Sequence, residues 1–340
     1  MSQHHTAVRG AAVRGYEQAR TRAAFFERAD RGRIVVSGRD RGTYLQGLLT
    51  NDVAALQAGG GCYAAYLTPQ GRLISDMHVY ELGDVMLLSL PRATKDAVLA
   101  KFDQFVFSED VQLSDVTEAF AQFAVVGPAA ADVVAALVAR PFQGRETTVA
   151  DHWNTRAEFD GSPAIVTRVA DTGEPGFDVY VERARAEAFT AALERAGVER
   201  IDAAVADALR IEAGVPVFGR DMDETTIPLE AGLEQRAISF TKGCYVGQEV
   251  IVRVLHRGHG RVAKRLAGLT IEGDAVPAER ATISAGGQEI GFVTSSTWSP
   301  ALDRPIALGY LHRDFTTAGT EVSVGGARAI VTELPFVART

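Results

Sequence analysis

The spacing of apolar residues in the first third of the chain predicts an amphipathic helix packed against antiparallel strands. Asp40 can accept hydrogen bonds from the free amides of a first helical turn, and the apolar residues that follow share one face: Tyr44, Leu45, Leu48 and Leu49. Short turns at 68–71 and 82–84 join the alternating runs GCYAAYL, RLISDMHVY and VMLLSL. Links this short require neighbouring strands to run in opposite directions, which disfavours a parallel dinucleotide-binding fold.

Helical patterns precede these strands and continue beyond them. Residues 15–30 are rich in Ala and Arg and are predicted as one helix, and a second helix is predicted around 93–104. Farther along, the runs FAQFAVV, AIVTRVA and GFDVYV are typical of strands, and two helical runs end at Gly197 and Gly214. Helices inserted between antiparallel strands indicate an α+β architecture.

From about residue 263 the pattern changes to short β-runs separated by Gly and Pro turns. The pairs Gly286-Gly287 and Gly325-Gly326 predict tight hairpins, because glycine tolerates the positive φ angles of primed turns. We therefore expect a small C-terminal β-barrel or sandwich.

Composition and charge narrow the classes of function. The 340 residues are 46% hydrophobic, enough for two or three domains, and 35 basic against 43 acidic residues give a net charge of −8. An acidic chain is poorly suited to wrapping nucleic acid. Residues 242–265 are an exception, since the only acid among their many Lys and Arg side chains is Glu249. This segment either meets an anion or forms a solvated basic face.

The expected cellular context follows from features that the sequence lacks. Cys62 and Cys244 lie far apart and outside any CxxC or Cys/His spacing, so neither a disulfide framework nor a metal site is predicted. No run approaches the roughly 18 apolar residues of a membrane helix, and the first residues lack the apolar segment of a secretory signal. We expect a cytoplasmic protein without a membrane partner.

The segment KGCYVGQEVI, residues 242–251, has the most distinctive local chemistry. Lys242 is a cation close enough in sequence to favour a Cys244 thiolate, and Gly243 and Gly247 let the backbone approach a ligand closely. The alternative is that Cys244 packs as a small apolar side chain.

Asp178 and Arg210 form a second pair of candidates. A carboxylate on a strand suits a flat edge that donates two hydrogen bonds, and an arginine near a helix end suits a carboxylate or phosphate. A strand-edge charge and a helix C-terminal cation are the structural alternatives for these two residues.

The chain resembles the YgfZ/GcvT-like folate-binding family in the run LRIEAGVPVFGRDMDETTIPLEAGLEQRAISFTKGCYVGQEVIVR. The likeness extends to SGRDRGTYLQGLLTNDV, YLTPQGRLISDM, DTGEPGFDVYV and SPALDRPIALGYLHRDF, and so to nearly the whole chain. It implies an α+β, three-domain aminomethyltransferase (T-protein)-like fold, with antiparallel sheets flanked by helices and a C-terminal β-barrel. The domains expected are 1–115 together with 203–260, then 116–202, then 261–340.

The resemblance also implies that tetrahydrofolate, or a one-carbon-substituted folate, binds in a central hole between the three domains. Asp178 would meet the pterin edge, and Arg210 would lie near the folate tail. Asp178 stands where the T-protein usually has glutamate, and Asp171 stands where it has an aromatic residue. The T-protein also has an aspartate beside the folate near the start of a helix, for which Asp96 is the nearby candidate. The basic segment would then meet a glutamate tail, including that of a polyglutamylated folate.

Within the family, the pattern K-G-C-[FY]-x-G-Q-E marks the YgfZ-like branch. The chain matches it completely, with Lys242, Gly243, Cys244, Tyr245, Gly247, Gln248 and Glu249. The resemblance therefore predicts Cys244 and Lys242 as catalytic residues, and the other five motif residues as cofactor-binding residues.

Three functions follow from the resemblance. The leading hypothesis is a tetrahydrofolate-binding accessory protein for assembly or repair of iron-sulfur enzymes, with a reactive Cys244 in a redox or transferase-like step. Its partners would be those enzymes or cluster-assembly proteins. The first alternative is an aminomethyltransferase of T-protein type, which moves a one-carbon unit from a lipoyl-bound carrier to tetrahydrofolate. The second is a non-catalytic folate-binding or partner-binding module.

Overall fold

The structure, a computed structural model, describes residues 12–139, 150–256 and 261–338. Its helices are α1 Ala12–Thr21, α2 Arg41–Leu48, α3 Arg92–Asp103, α4 Ala130–Leu137, α5 Ala186–Arg195, α6 Ala203–Glu212, α7 Glu234–Ala237 and α8 Gln248–His256. Its strands are β1 Ala24–Glu27, β2 Arg31–Ser37, β3 Gly61–Leu67, β4 Leu73–Glu81, β5 Val85–Pro91, β6 Gln112–Asp115, β7 Phe120–Val126, β8 Asn154–Phe159, β9 Ser162–Arg168, β10 Gly176–Glu182, β11 Glu199–Arg200, β12 Lys264–Ile271, β13 Thr282–Ala285, β14 Gln288–Ser299, β15 Arg304–His312, β16 Glu321–Val324 and β17 Ala327–Thr332. None of the described helices combines the length and the apolar character that a membrane crossing requires.

The first sheet has five antiparallel strands in the order β3-β4-β5-β2-β6. The turn predicted at 68–71 joins β3 to β4, and Gly71 in it has a φ of 74°. Helices α2 and α3 contribute apolar side chains to the core on one face of this sheet, among them Leu45 and Phe102. The polar side chains of Asp76 and His78 lie on the opposite face of β4 from the core residues Met77 and Val79.

The second sheet has six strands in the order β11-β1-β7-β10-β9-β8. Its strands pair antiparallel except β1 and β11, which are parallel. The single helix predicted over 15–30 is wrong, because α1 ends at Thr21 and the next residues form β1. Ala24 and Phe25 are both fully buried, on opposite faces of the strand. A strand buried on both faces lacks the polar alternation that would distinguish it from a helix.

The last six strands close into a barrel in the order β12-β15-β14-β13-β16-β17. The glycine pairs predicted to form hairpins do so: Gly286 and Gly287 join β13 to β14, Gly325 and Gly326 join β16 to β17, and all four have positive φ angles. The predicted α+β fold with a C-terminal β-barrel is therefore confirmed. The residue boundaries of the three domains stay a prediction, although β1, in the predicted first domain, hydrogen-bonds into the second sheet.

Buried polar contacts join the barrel to the rest of the molecule through α6. Glu212, at the end of α6, is fully buried and accepts hydrogen bonds from Tyr16 at 2.6 Å, from Arg20 and from Ser299. Tyr16 and Arg20 lie on α1, whereas Ser299 is the last residue of β14. One carboxylate thus holds α1, α6 and the barrel in a fixed arrangement.

Candidate functional site

A cavity of about 1160 Å³ lies between the first two sheets, and α6 and the loop after it complete its walls. Its volume suits a cofactor-sized ligand. The side chains that line it include several carboxylates and guanidinium groups, which are the groups that fix the orientation of a polar ligand: Arg28, Asp76, His78, Asp171, Asp178, Arg210 and Arg236.

Asp178 projects into this cavity from β10 and is almost completely buried. Its Oδ2 accepts a hydrogen bond from Gln122 Nε2 at 2.7 Å and one from Arg28 Nη1 at 3.3 Å. Arg33 donates to Gln122 Oε1 at 3.1 Å, which fixes the amide so that its NH2 group faces Asp178. Burial raises the pKa of Asp178 despite the opposing charge of Arg28. The carboxyl group is therefore held in one orientation, as recognition of a flat ligand edge requires.

Asp76 on β4 is a second buried carboxylate in the cavity, and sequence reasoning missed it. Its Oδ2 accepts a hydrogen bond from the Tyr63 hydroxyl at 2.6 Å, whereas its buried Oδ1 has no partner among the described residues. Buried polar atoms are normally paired, so an unpaired carboxylate oxygen facing a cavity indicates a missing ligand donor. The signal was present in RLISDMHVY: Met77 and Val79 belong to the sheet core, which directs Asp76 to the opposite face.

Asp171, in the turn before β10, adds a third carboxylate. Arg28 Nη1 donates to its Oδ2 at 3.1 Å, His78 Nε2 lies 3.3 Å from the same oxygen, and Arg236 Nη2 lies 4.0 Å from Oδ1. Burial alone would raise the pKa of Asp171, but the charges of His78, Arg28 and Arg236 hold this pKa well below its usual value. This end of the cavity thus contains an ionised carboxylate among three basic side chains.

Arg210 lines the same cavity as Asp178, as the resemblance implied, but its guanidinium already has protein partners. It donates to Asp207 and Asp221, each at 2.6 Å, and to Ser295 of the barrel at 2.7 Å. Its contact with a folate tail stays a prediction. The geometry favours the role of a buried link between α6 and the barrel.

The KGCYVGQE motif residues do not line the central cavity. The Lys242 ammonium donates to three backbone carbonyl oxygens at the C-terminal end of α2, those of Gln46, Leu49 and Asn51, at 2.7, 2.6 and 2.8 Å. Burial lowers the pKa of Lys242 to about 8. Lys242 therefore caps α2, and the three carbonyls accept from all three donors of its ammonium group.

The other motif residues occupy separate environments. Cys244 is exposed, and Tyr245 is buried in an apolar cluster with its ring 5.2 Å from the Lys242 ammonium. At Gly247 an added Cβ would lie 2.5 Å from the Thr68 carbonyl oxygen, so the close backbone approach expected of this glycine is to the β3–β4 turn. An added Cβ at Gly243 would meet open space. The ligand roles predicted for these residues, and for Gln248 and Glu249, stay predictions.

Glu249 and Arg253 line a smaller cavity of about 520 Å³, beside Arg72 and Glu230. This is where the basic segment 242–265 meets a concavity in the described part of the chain. In the same segment, Arg265 pairs with Glu234 at 2.5 Å. Arg257 and His259 lie outside the described residues.

The exposed position of Asp96 separates it from this site. Its side chain on α3 is 87% exposed and pairs with Lys95, and it does not line the cavity. Asp76 lines the cavity in its place. The structure therefore places Asp76, and not the sequence candidate Asp96, in the cavity.

Two α+β sheets, a closed barrel and a charged cavity between the sheets define a protein of the three-domain aminomethyltransferase fold class. Family models for the GCVT N-terminal domain and the glycine cleavage T-protein C-terminal barrel domain match residues 3–242 and 264–337. The chain belongs to this family, the glycine cleavage T-protein or GcvT-like family. The membership supports the prediction of a folate ligand.

Proteins named aminomethyltransferase are similar to the chain over almost its full length. The protein from Rubrobacter xylanophilus is 34% identical over 324 residues, which cover 95% of this chain and 83% of that protein. The protein from Geobacillus kaustophilus is also 34% identical, over 95% of this chain and 90% of that protein. The crystal structure of glycine cleavage system aminomethyltransferase T from Bartonella henselae has a TM-score of 0.85 at 24% identity, covering 96% of this chain and 89% of that one.

These comparisons overturn the leading functional hypothesis. The prediction of an accessory protein for iron-sulfur enzymes that acts through Cys244 is wrong, because the relatives at 34% identity are named aminomethyltransferase. The prediction took the KGCYVGQE motif for a reactive site. In the structure Lys242 caps α2, and the Cys244 thiol is exposed outside the cavity. Iron-sulfur partners have no support, and the YgfZ branch is not confirmed.

Proposed function

We propose that the protein is an aminomethyltransferase that moves a one-carbon unit from an aminomethyl group on a carrier thiol to tetrahydrofolate. The aminomethyltransferase names of its relatives support the reaction class. The observation that carries the proposal is the buried, unpaired Oδ1 of Asp76 in a cavity that also contains Asp178. The two carboxylates give the cavity separate groups for recognition and for reaction.

Asp178 is the recognition group in this proposal. The pterin ring presents an amino group and a ring N–H side by side, and a carboxyl group fixed by Gln122 and Arg28 can accept from both. The shorter side chain of aspartate, compared with glutamate, would hold the pterin closer to β10. Asp76 on β4 lines the same cavity.

Asp76 is the reacting group in this proposal. Its Oδ2 is held by Tyr63, so Oδ1 is free to accept a hydrogen bond from the carrier's aminomethyl nitrogen or from a folate N–H. Bound tetrahydrofolate would supply two N–H nitrogens that the methylene carbon bridges. One of their protons goes to the carrier sulfur, which leaves as a thiol, and the other goes to the aminomethyl nitrogen, which leaves as ammonia. A carboxylate fixed at the reacting centre stabilises the positive charge that develops there.

The test is formation of methylenetetrahydrofolate from tetrahydrofolate and a lipoyl-bearing carrier protein loaded with the aminomethyl group. We expect turnover by the unaltered protein, and Asp76→Asn should lower kcat by about a hundredfold or more. Its affinity for tetrahydrofolate should change only a few-fold. Asp96→Asn is the matched control, because this aspartate is exposed outside the cavity, and it should leave kcat unchanged.

Two results would contradict the proposal. Tight tetrahydrofolate binding without turnover would favour the non-catalytic folate-binding module. Full activity of Asp76→Asn would remove the residue on which the mechanism depends.

A glutamate tail leaving the cavity would meet cations at its mouth. Arg200 and Arg220 line the cavity and are exposed, whereas the basic side chains of 242–256 and 261–265 do not line it. We propose these two arginines as the tail contacts of a polyglutamylated folate. Polyglutamylated folate should then bind more tightly than the monoglutamate at low salt, and replacing both arginines with Gln should remove the difference.

The KGCYVGQE motif supports placing the chain in the YgfZ branch of the family as a further proposal. Its residues nevertheless take structural roles here, with Lys242 capping α2 and Gly247 packed on the β3–β4 turn. We expect Cys244→Ser to retain full transfer activity in the assay above. Loss of activity in that variant would restore the predicted catalytic role of the thiol.

A further inference from the structure

The smaller cavity has no part in the proposed function, although the KGCYVGQE motif and the basic segment both contribute to it. Its volume is about 520 Å³, which is within the range of small-molecule sites. Glu249 and Arg253 line it from α8, Arg72 lines it from the end of the β3–β4 turn, and Glu230 lines it from the loop before α7. The cavity thus brings two acidic and two basic side chains together from three separate segments.

Close packing fixes the walls of this cavity. Helix α8 lies directly against the β3–β4 turn, because a Cβ added at Gly71 would be 2.8 Å from Val250 Cβ, and one added at Gly247 would be 3.2 Å from Gly71 Cα. Both glycines have positive φ angles, which other residues rarely adopt. In the third segment, Glu230 accepts a hydrogen bond from the Ile227 N–H at 3.2 Å. A cavity between walls held in this way keeps its shape without a ligand.

The charged side chains of this cavity do not neutralise one another. Arg265 of the basic segment forms an ion pair with α7, whereas Arg253 and Glu249 form no ion pair within the described residues. These two residues are one turn apart on α8, with Cβ atoms about 6 Å apart, a spacing at which opposite charges can pair. Arg72 donates to the backbone carbonyl of Thr225 and not to a carboxylate. The cavity therefore has donors and acceptors that a ligand can use.

The carboxyl group of Glu230 has the clearest need for a ligand cation. Burial raises its pKa, although the Ile227 N–H and the positive charges of Lys264 and Arg72 oppose this rise. A half-buried carboxylate that is not fully compensated gains stability from an ammonium group placed beside it. Glu230 thus provides an acceptor for a cation, and Arg253 provides donors for an anion in the same cavity.

The rest of the lining is largely apolar. Pro69 belongs to the β3–β4 turn, Ile227 to the loop that contains Glu230, and Val250 and Val254 to α8. These side chains can cover an aliphatic or aromatic group of a ligand. An ammonium group, a carboxylate and an apolar group within one small molecule are the components of an apolar α-amino acid.

We propose that the smaller cavity binds a free α-amino acid with an apolar side chain. Glu230 accepts from the ammonium group, Arg253 donates to the carboxylate, and the apolar lining covers the side chain. Glu249 and Arg72 balance the charge around the ligand. The site is a binding site, where no covalent bond forms or breaks. It is independent of aminomethyl transfer, since the two cavities share none of their lining residues.

The first experiment locates the ligand. The whole protein, with 13C-labelled methyl groups of valine and isoleucine, is titrated with L-leucine, L-methionine and L-phenylalanine in separate NMR experiments. At least one of these amino acids should shift the signals of Val250, Val254 and Ile227 together. If none of the three shifts these signals at about 10 mM, where even weak specific binding is saturated, the proposal is overturned.

The second experiment tests the two charges of the ligand. The amide of the amino acid that binds best lacks the carboxylate, and the corresponding deaminated acid lacks the ammonium group. Each should bind at least about tenfold more weakly than the amino acid, because each leaves a charged side chain of the cavity without its partner. Binding of either analogue as tight as that of the amino acid would show that the cavity selects an apolar group alone, and would overturn the proposal.

The third experiment tests the two charges of the protein. Glu230→Gln keeps an acceptor for the Ile227 N–H, and Arg253→Gln replaces an exposed side chain, so both variants should fold. Each should weaken binding of the amino acid at least about tenfold. Arg261→Gln is the matched control, because Arg261 is an exposed cation of the same segment outside the cavity, and it should bind as the unaltered protein does.

Equal weakening by Arg253→Gln and Arg261→Gln would indicate a general effect of charge and would overturn the site. Unweakened binding by Glu230→Gln would likewise contradict the role of its carboxylate. None of these experiments uses folate or a carrier protein. A failure of the proposed function therefore leaves their outcome unchanged, and their failure leaves the proposed function standing.

Discussion

At the scale of single residues, Asp178 illustrates how a carboxyl group that we propose for ligand recognition can lower the stability of the fold. Burial raises the pKa of this carboxyl, so the folded protein binds its proton more tightly than the unfolded chain does. The stabilisation from that proton is complete below the unfolded pKa of about 3.9 and is lost as the pH rises through the raised value. We therefore expect Asp178→Asn to match the unaltered protein near pH 4 and to exceed its stability at pH 7, as measured by urea denaturation.

The same substitution should weaken ligand binding. Loss of a charge-assisted hydrogen bond, about 1.5–3 kcal/mol, should lower tetrahydrofolate affinity at least about tenfold. Asp96→Asn, at an exposed aspartate, should change neither stability nor affinity. A less stable Asp178→Asn at pH 7 would mean that the Arg28 and Gln122 contacts outweigh the cost of burial.

The sequence predicted part of the site at this scale. Asp178 was named from the resemblance, and it lies in the cavity. Asp76 and His78 were missed because the alternation along β4 predicts that the strand has two faces, but it does not indicate that the face away from the core lines a cavity. The contacts of His78 with Asp171 and His152 join residues that are 93 and 74 positions apart in the sequence, so only the fold brings them together.

At the scale of elements, Lys242 determines how α2 ends. Its ammonium donates to three carbonyl oxygens, those of Gln46, Leu49 and Asn51, where the helix dipole is negative. Lys242→Met keeps the aliphatic stem but leaves these acceptors without their donor. We expect the free energy of unfolding to fall by about 2 kcal/mol or more, measured by urea denaturation.

A matched control for this prediction is Lys101→Met, since Lys101 is an exposed residue on α3. It should change the free energy of unfolding by less than about 0.5 kcal/mol. Tetrahydrofolate affinity of Lys242→Met should remain unchanged, because Lys242 does not line the cavity. A selective loss of affinity would instead support the ligand role predicted from the motif.

Several elements with strong local signals were predicted well: α5 and α6 end shortly before Gly197 and Gly214, and the hairpin glycines have the expected positive φ angles. The helix cap predicted at Asp40 is wrong, because its carboxylate accepts from the distant Asp110 backbone N–H at 2.8 Å and not from the first turn of α2. By contrast, β1 was assigned to a helix because Ala- and Arg-rich sequence has helical propensity. Its pairing with β7 and β11 overrides that propensity.

At the scale of the whole molecule, the central cavity lies between the two sheets, and buried contacts of α6 with α1 and with the barrel hold its walls in place. The barrel was predicted from its short β-runs separated by Gly and Pro turns, and the α+β class from the mixture of helices and strands. The cavity itself was implied only by the resemblance, since its walls come from segments as distant as Arg28 and Arg236. Local patterns contain no information about how such segments meet.

Arg210 offers a test of whether a cavity residue serves the ligand or the arrangement of the domains. It joins α6 to Asp221 and to Ser295 of the barrel, and Arg210→Lys would lose the planar fork that makes these contacts. We expect the free energy of unfolding to fall by about 2 kcal/mol or more, with faster amide hydrogen exchange in β14. Arg304→Lys, at an exposed position on β15, should change neither quantity.

Ligand binding by Arg210→Lys distinguishes this role from the one that the resemblance implies. A structural link should affect tetrahydrofolate and a tetrahydropterin without the glutamate tail to the same extent, because both bind the same arrangement of walls. A residue that binds the tail should lower affinity for tetrahydrofolate alone and leave hydrogen exchange in β14 unchanged. Since four hydrogen bonds to Asp207, Val215, Asp221 and Ser295 already use most of the Arg210 donors, we expect equal effects on the two ligands.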